Sequence, residues 1–377
     1  MTALLAVSCV YPYEAEIPEN FGNMVIEGDI FVGSTSVFEL SYMLPLTGKA
    51  DRNSYAKPDG TVWVEASDGT RYDAVMTDDQ VFEVDTRDAS PSLQYRLHVY
   101  DALTYQNYVS QWASVGGTCA IDDFYYEIAE DKQTVSLKVS LHSDDGSHFR
   151  YRYTEDWEYT APFRATHYFI PEQSEEYPYG IIRQYTNGEN TYYCWKSEGS
   201  RGINLATTED MSENVLIDYP VITYGKNEEK FSQVYRMDIE VYPVDADSYA
   251  YYDHLKQMSE LTGSLFSPTP SEMRGNISCE EDPAQYVYGY VAVVQPSSSR
   301  LYFISQDEKF YVKPGLTLEE PVDVPEKQWM RYYLYEKYLL YAYSANQGAL
   351  WLPRDCIDCQ RLGGTKNKPA DWPNDHK

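Results

Sequence analysis

Apolar and polar residues alternate in short runs through the first third of the chain. Residues 24–32 (MVIEGDIFV), 36–44 (SVFELSYML), 61–69 (TVWVEASDG), 71–77 (RYDAVMT), 80–86 (QVFEVDT) and 93–101 (LQYRLHVYD) each carry the period of two that places alternate side chains on one face of a strand. Ser67-Asp68-Gly69-Thr70 supplies a hairpin turn between two of them. Strands this short and this regularly spaced predict an immunoglobulin-like or fibronectin-like β-sandwich over residues 23–116, with a boundary near Val115-Gly116-Gly117. Further strands follow at 121–126, 135–141, 149–159, 166–170, 192–195, 221–224 and 234–241. They predict a larger antiparallel β domain over 117–355, with polar connections at 172–180 and 198–214.

The period changes once. Tyr251, Leu255, Met258 and Leu261 fall at i, i+4, i+7 and i+10, an apolar stripe on a helix near 248–262 that Asp247 or Ser248 caps and Gly263 ends. The stripe predicts core, packed on the sheet of the larger domain. Pro268 and Pro270 force an extended link behind it. Residues 286–294 then read as an apolar strand that turns through 296–299 into a second strand at 301–304. Residues 329–342 suit either a helix or a strand, with Arg331, Glu336 and Lys337 favouring helix, and 356–377 read as a Cys-containing tail.

Composition strengthens the β assignment, since 38 Tyr stand against 12 Phe and 7 Trp. Those tyrosines suit half-buried sheet faces, or a Tyr-lined recognition surface. The balance of 30 Lys+Arg against 59 Asp+Glu leaves −29, which repels nucleic acid and anionic lipid headgroups before any local contact forms. A cationic substrate or a basic receptor surface remains compatible with it.

Residues 1–9 (MTALLAVSC) are apolar and end in small residues, as at the end of a signal peptide whose start lies upstream. The order Ala6-Val7-Ser8-Cys9 matches a bacterial lipobox, so Cys9 is the expected lipidation site and 10–22 a tether. No later stretch approaches 18 consecutive apolar residues, which leaves lipid as the expected anchor. Such a compartment permits disulfides, and one or two bridges are expected among Cys194, Cys279, Cys356 and Cys359, with Cys119 a free thiol and the pairing open. Cys356-Ile-Asp-Cys359 lacks the second close pair of a structural zinc site and the βαβ setting of a thioredoxin motif.

No catalytic constellation emerges, and neither a cofactor nor a metal is expected. His142 and His148 flank Asp144-Asp145-Gly146, which suits a solvated hairpin turn better than a metal clip. Asp51, Asn53 and Asp59 lack the glycine of a calcium hand, and Gly199-Ser200-Arg201-Gly202 breaks the nucleophile-elbow spacing. Asn276-Ile277-Ser278 matches a glycosylation acceptor, an accidental match in a bacterial lipoprotein.

Cys9, Pro18, the strand Met24-Val25-Ile26-Glu27-Gly28 and Ile121-Asp122 stand in an order that resembles the Bacteroidota lipoproteins called domain of unknown function 4249. Phe266-Ser267-Pro268, Gly275-Asn276-Ile277, Gly289-Tyr290, Cys356-Ile-Asp-Cys359, Gly363-Gly364-Thr365 and Lys368-Pro369 extend the similarity, and Ala370-Asp371-Trp372 approximates the family's aromatic ending. The resemblance implies an outer-membrane lipoprotein, surface-exposed and encoded near a TonB-dependent transporter, that assists capture of a peptide or glycan. It implies no catalytic residues. The competing expectations are a surface adhesin or assembly subunit and a hydrolase built from dispersed acids.

Overall fold

The computed structural model describes residues 22–43, 57–186, 189–261, 274–310, 319–344 and 346–373. The chain is mainly antiparallel β, as the alternating pattern predicts, and it separates into two units. Met1–Gly116 joins Val244–Gln295 in the first, and Gly117–Pro243 joins Pro296–Lys377 in the second.

In the first unit the strands run in the order Met24–Glu27, Thr35–Tyr42, Val81–Asp85, Arg71–Asp78, Gly60–Ala66, Tyr95–Asp101, Gln106–Ser110 and Ile277–Cys279. Arg71–Asp78 is shared between two sheets. Its first residues pair with Trp63, Val64 and Glu65, and the rest pair with Val81 to Val84. The inward positions of both sheets close one core, in which Ile26, Phe38, Val64, Val84, Tyr95 and Leu97 are at most 1% exposed. At about 25 cal/mol per Å² of apolar surface removed from water, this burial is the main favourable term holding the unit together.

Residues 244–295 belong with this unit rather than with the larger domain. Ile277–Cys279 continues its sheet by pairing with Tyr108, Val109 and Ser110. Val293–Val294 pairs parallel with Ile30–Phe31, and the Ile26 and Tyr288 amides donate to Tyr288 and Met24 carbonyls at 2.8 and 2.9 Å. The expected hairpin between 286–294 and 301–304 therefore does not form. Ser297–Ile304 pairs instead with Val234–Val244 in the second unit. A parallel pairing across more than two hundred and fifty residues leaves no local trace, because buried parallel strands read only as apolar runs.

The helix spans Ala246–Leu261, and its cap is Asp245, whose Oδ1 accepts the Ser248 amide at 2.6 Å, rather than Asp247 or Ser248. Tyr251 is 8% exposed, as its place in the stripe predicts, but Leu255 is 38% exposed. Contact is made by the first two turns. The Gly289 amide donates to the Tyr251 hydroxyl at 3.1 Å, and the Tyr252 hydroxyl donates to the Tyr290 carbonyl at 3.0 Å. Leu255, one turn further on, is thus an exposed member of the stripe. Met258 is half-buried, and the side chain of Leu261, together with Gly263, Phe266, Pro268 and Pro270, lies outside the described residues.

In the second unit one sheet runs Tyr193–Gly199, His148–Thr160, Val234–Val244, Ser297–Ile304, and Leu205–Thr207 pairs with the start of His148–Thr160. Leu205–Thr207 thus lies inside what reads in the sequence as a connection. A second sheet runs Val215–Gly225, Thr134–Ser143, Cys119–Ile128. Its outer strand carries Pro220 and a left-handed Asp218 (φ 53°), both of which interrupt a continuous hydrogen-bonding edge. A smaller cluster gathers Phe169, Trp329, Leu340 and Trp351 around the sheet Val322–Asp323, Gly348–Pro353, Tyr338–Ser344. Residues 329–342 divide into a helix, Trp329–Leu334, and the start of the strand Tyr338–Ser344, separated by Lys337 at φ 59°.

Candidate functional site

The motif residues Gly275-Asn276-Ile277 and Gly289-Tyr290 converge in the first unit. A Cβ on Gly275 would stand 1.7 Å from the Gly289 carbonyl oxygen, and Gly289 itself adopts φ +128° with Ile26 O only 2.0 Å from where its Cβ would be. Glycine is therefore required at both positions, by close approach at the first and by backbone conformation at the second. Between them the Asn276 side chain clasps Val291, donating to its carbonyl at 2.8 Å and accepting its amide at 2.9 Å. Asn276 is 8% exposed, which removes it as a glycosylation acceptor.

Beside this clasp lies a cleft of about 200 Å³ lined by Gln111, Arg274, Asn276, Ser278 and Gln285, by Tyr286, and by the apolar Ile277, Pro283 and Val287 with Gly275. Strand Gln106–Ser110 delivers Gln111, and the 280–285 turn delivers Gln285. That turn is fixed by Glu281, whose two carboxylate oxygens accept the Asn107 amide and side-chain amide at 2.8 and 2.7 Å. The same bonds hold the Glu281 carboxyl below the ordinary glutamate value. Gln285 Oε1 accepts from Gln106 Nε2 at 2.8 Å, and the Arg274 guanidinium lies 4.5 Å from the centroid of the Tyr286 ring. Amide, hydroxyl, phenol and guanidinium groups stand beside the apolar Ile277, Pro283 and Val287, so the opening offers hydrogen-bond donors and acceptors together with comparable apolar area.

A second cluster of functional groups sits in the second unit. Glu155, 3% exposed, accepts from the hydroxyls of Tyr224 and Tyr235 at 2.6 and 2.7 Å and from Lys230 Nζ at 2.7 Å. The Lys230 ammonium also lies over the rings of Trp157 and Tyr224 at 4.8 and 5.0 Å. Burial first, and then Glu155, push both tyrosine hydroxyls above the ordinary tyrosine value. Donors from two strands and a 3-10 turn already engage the carboxylate, so the cluster ties those elements together. Neither this cluster nor Arg274 and Tyr286 is visible as a motif. The one sequence signal is the run Glu155-Asp156-Trp157-Glu158 inside an otherwise alternating strand.

Cys194 and Cys359 form a disulfide with Cα atoms 5.7 Å apart, which ties the tail to the edge strand Tyr193–Gly199. Cys279 and Cys356 are buried free thiols, so neither joins a bridge, and burial raises both above the ordinary cysteine value. Cys119 is a half-buried free thiol pushed up to about 11, chiefly by burial. His142 pairs with Asp122 and His148 with the Thr207 hydroxyl, and no metal-binding group of His, Cys, Asp and Glu occurs among the described residues. Ser200 Oγ accepts the Tyr153 amide at 3.2 Å. Cys9, Asp51 and Asn53 lie outside the described residues.

No match was found among curated proteins. Among solved structures, a DUF4785 family protein from Legionella pneumophila is similar at 9% identity over 57% of this chain and 51% of its own, with a TM-score of 0.16. The chain thus spans about half the length of that protein. A family model described as domain of unknown function (DUF4249) matches residues 10–300, the span that contains the glycine clasp and the cleft beside it. On that match the chain belongs to the DUF4249 family.

Proposed function

We propose that this chain is a lipid-anchored, surface-facing outer-membrane accessory protein that assists a TonB-dependent transporter in nutrient capture, holding a peptide or glycan in the cleft beside Arg274 and Tyr286. The cleft carries the reading, because its lining sets Gln111, Arg274, Ser278 and Gln285 beside apolar Ile277, Pro283 and Val287, and the close-packed glycine clasp forms one wall. The order Ala6-Val7-Ser8-Cys9 supports the anchor at Cys9. The transporter rests on the family resemblance. A net charge of −29 argues against a nucleic-acid partner.

Expressed with a complete signal sequence and extracted in detergent, the protein co-purifies with a TonB-dependent transporter identified by mass spectrometry. Cys9→Ala releases it from the membrane fraction. Arg274→Ala abolishes binding on peptide and glycan arrays without lowering the melting temperature. A Cys9→Ala protein that stays membrane-bound like its parent, or the absence of any transporter from the purified material, refutes the proposal.

One observation favours an adhesin as the second reading. Val75 and Met76 are 67% and 59% exposed, on the part of Arg71–Asp78 that pairs with only one neighbouring strand among the described residues. Self-association that Val75→Lys abolishes would favour it.

A further inference from the structure

The strand His148–Thr160 is buried on both faces from Glu155 to Tyr159. Glu155 and Trp157 meet the cluster around Lys230. Asp156 and Glu158 point the other way, and what covers them is the end of the chain. Trp372, 7% exposed, packs on Trp195 and Val234 with Tyr193, Tyr302 and Ile304 around it. Its indole N–H donates to Glu158 Oε2 at 2.8 Å. The Arg236 guanidinium lies 5.6 Å from its ring centroid and pairs with Asp156 at 2.6 Å. Arg236 also donates to the Ala370 carbonyl at 2.8 Å, and the Tyr302 hydroxyl donates to the Asp371 carbonyl at 3.0 Å. Upstream, Thr365 and Trp195 exchange both backbone hydrogen bonds at 2.9 Å, so the tail extends the edge of the sheet.

Addition to a sheet edge, carbonyls held by side chains and one aromatic anchor in a pocket are the marks of extended-peptide recognition. Two features go beyond what a structural strap needs. Glu158 is 0% exposed, and an apolar seat would hold a ring without burying a carboxylate, whereas Glu158 selects a ring that carries an N–H. Asp371 adopts φ 58°, so the tail reaches the pocket through a left-handed residue, and its departure relieves that conformation.

We propose that this face of the second unit is a binding site for an extended peptide bearing a tryptophan, occupied in cis by the chain's own residues 365–372. The site is separate from the cleft beside Arg274 and does not depend on the function assigned to that cleft.

The test uses the full chain and a fluorescently labelled peptide of residues 365–373 (TKNKPADWP), with an otherwise identical peptide carrying Ala for Trp. Trp372→Ala vacates the pocket while the Cys194–Cys359 bridge keeps the start of the tail in place. This variant binds the Trp peptide at least about tenfold more tightly than the wild type, whose tethered tail competes, and does not bind the Ala peptide. Tyr302→Phe removes the hydroxyl that holds the Asp371 carbonyl and also meets Arg236 and Arg300, and raises the apparent affinity severalfold above wild type. A folded Trp372→Ala protein that ignores the Trp peptide, or binds both peptides equally, overturns the proposal. If that variant does not fold, Tyr302→Phe decides, and affinity no higher than wild type overturns it.

Discussion

Replacing Lys230 by Met tests whether the buried cluster around Glu155 ties the second unit together. The side chains of Lys230 and Glu155 are 13% and 4% exposed and their charged atoms lie 2.7 Å apart. Removing one partner of a buried ion pair costs ~3–5 kcal/mol, because the other charge stays in a low-dielectric site. The hydroxyls of Tyr224 and Tyr235 still solvate the carboxylate at 2.6 and 2.7 Å, which lowers the cost. Loss of the two cation–π contacts, worth roughly 0.5–1 kcal/mol each, raises it again. The expected result for Lys230→Met is therefore ~3–5 kcal/mol in the urea transition of the second unit, followed by tryptophan fluorescence and near-UV circular dichroism. Glu155→Gln, whose amide oxygen can still accept the tyrosine hydroxyls, costs about 1–3 kcal/mol. The double variant is more stable than the sum of the singles by at least ~1 kcal/mol, since neither charge is then left alone. A cost below ~1 kcal/mol for Lys230→Met, or additivity within ~0.5 kcal/mol, refutes the reasoning.

Gly275→Ala forces a methyl into the Gly289 carbonyl 1.7 Å away and costs ~1–3 kcal/mol or more, read as a lower melting temperature of the first unit; an unchanged value refutes the clasp. Leu255→Ala costs less than about 1 kcal/mol because the side chain is 38% exposed, and a cost of core size would place the helix differently. Reducing the Cys194–Cys359 bridge, which closes 165 residues, destabilises the second unit by ~2–4 kcal/mol; thiol mapping of oxidised protein that finds both sulfurs free removes the prediction. Burial, ahead of the opposing pull of Glu65, holds the His98 ring below the ordinary histidine value. The folded chain binds that proton less readily than the unfolded one. The stability it contributes is thus complete above about pH 6.5 and is lost as pH falls through the lower folded value. His98→Gln should flatten the acid limb of the melting profile, and an unaltered profile contradicts the assignment.

Strand positions were legible wherever one face meets the core and the other meets water, as in Tyr95–Asp101, whose burial alternates throughout. Period two records that environment directly. The helix was legible for the same reason at period 3.6, although Leu255, a member of its apolar stripe, is 38% exposed. The family's glycines could be read as a pattern, but not their purpose: Gly275 and Gly289 matter because fourteen residues of separation fold back to near contact. Arg274, Gln111 and Tyr286 carry no spacing that announces a cleft, since Gln111 arrives from a segment far from the 274–286 stretch that holds the other two.

By itself, then, the sequence determined the β class, most strand positions, the net charge of −29 and the cysteines available for bridging, all of which depend on local pattern or on counting. Tertiary structure alone decided that residues 244–295 complete the first unit, that Cys194 pairs with Cys359, and that Glu155, Lys230 and Tyr235 share one buried site. The physical reason is common to all three. Each is a contact between segments whose separation in sequence places no constraint on either segment's own periodicity, so only packing the apolar faces together selects it.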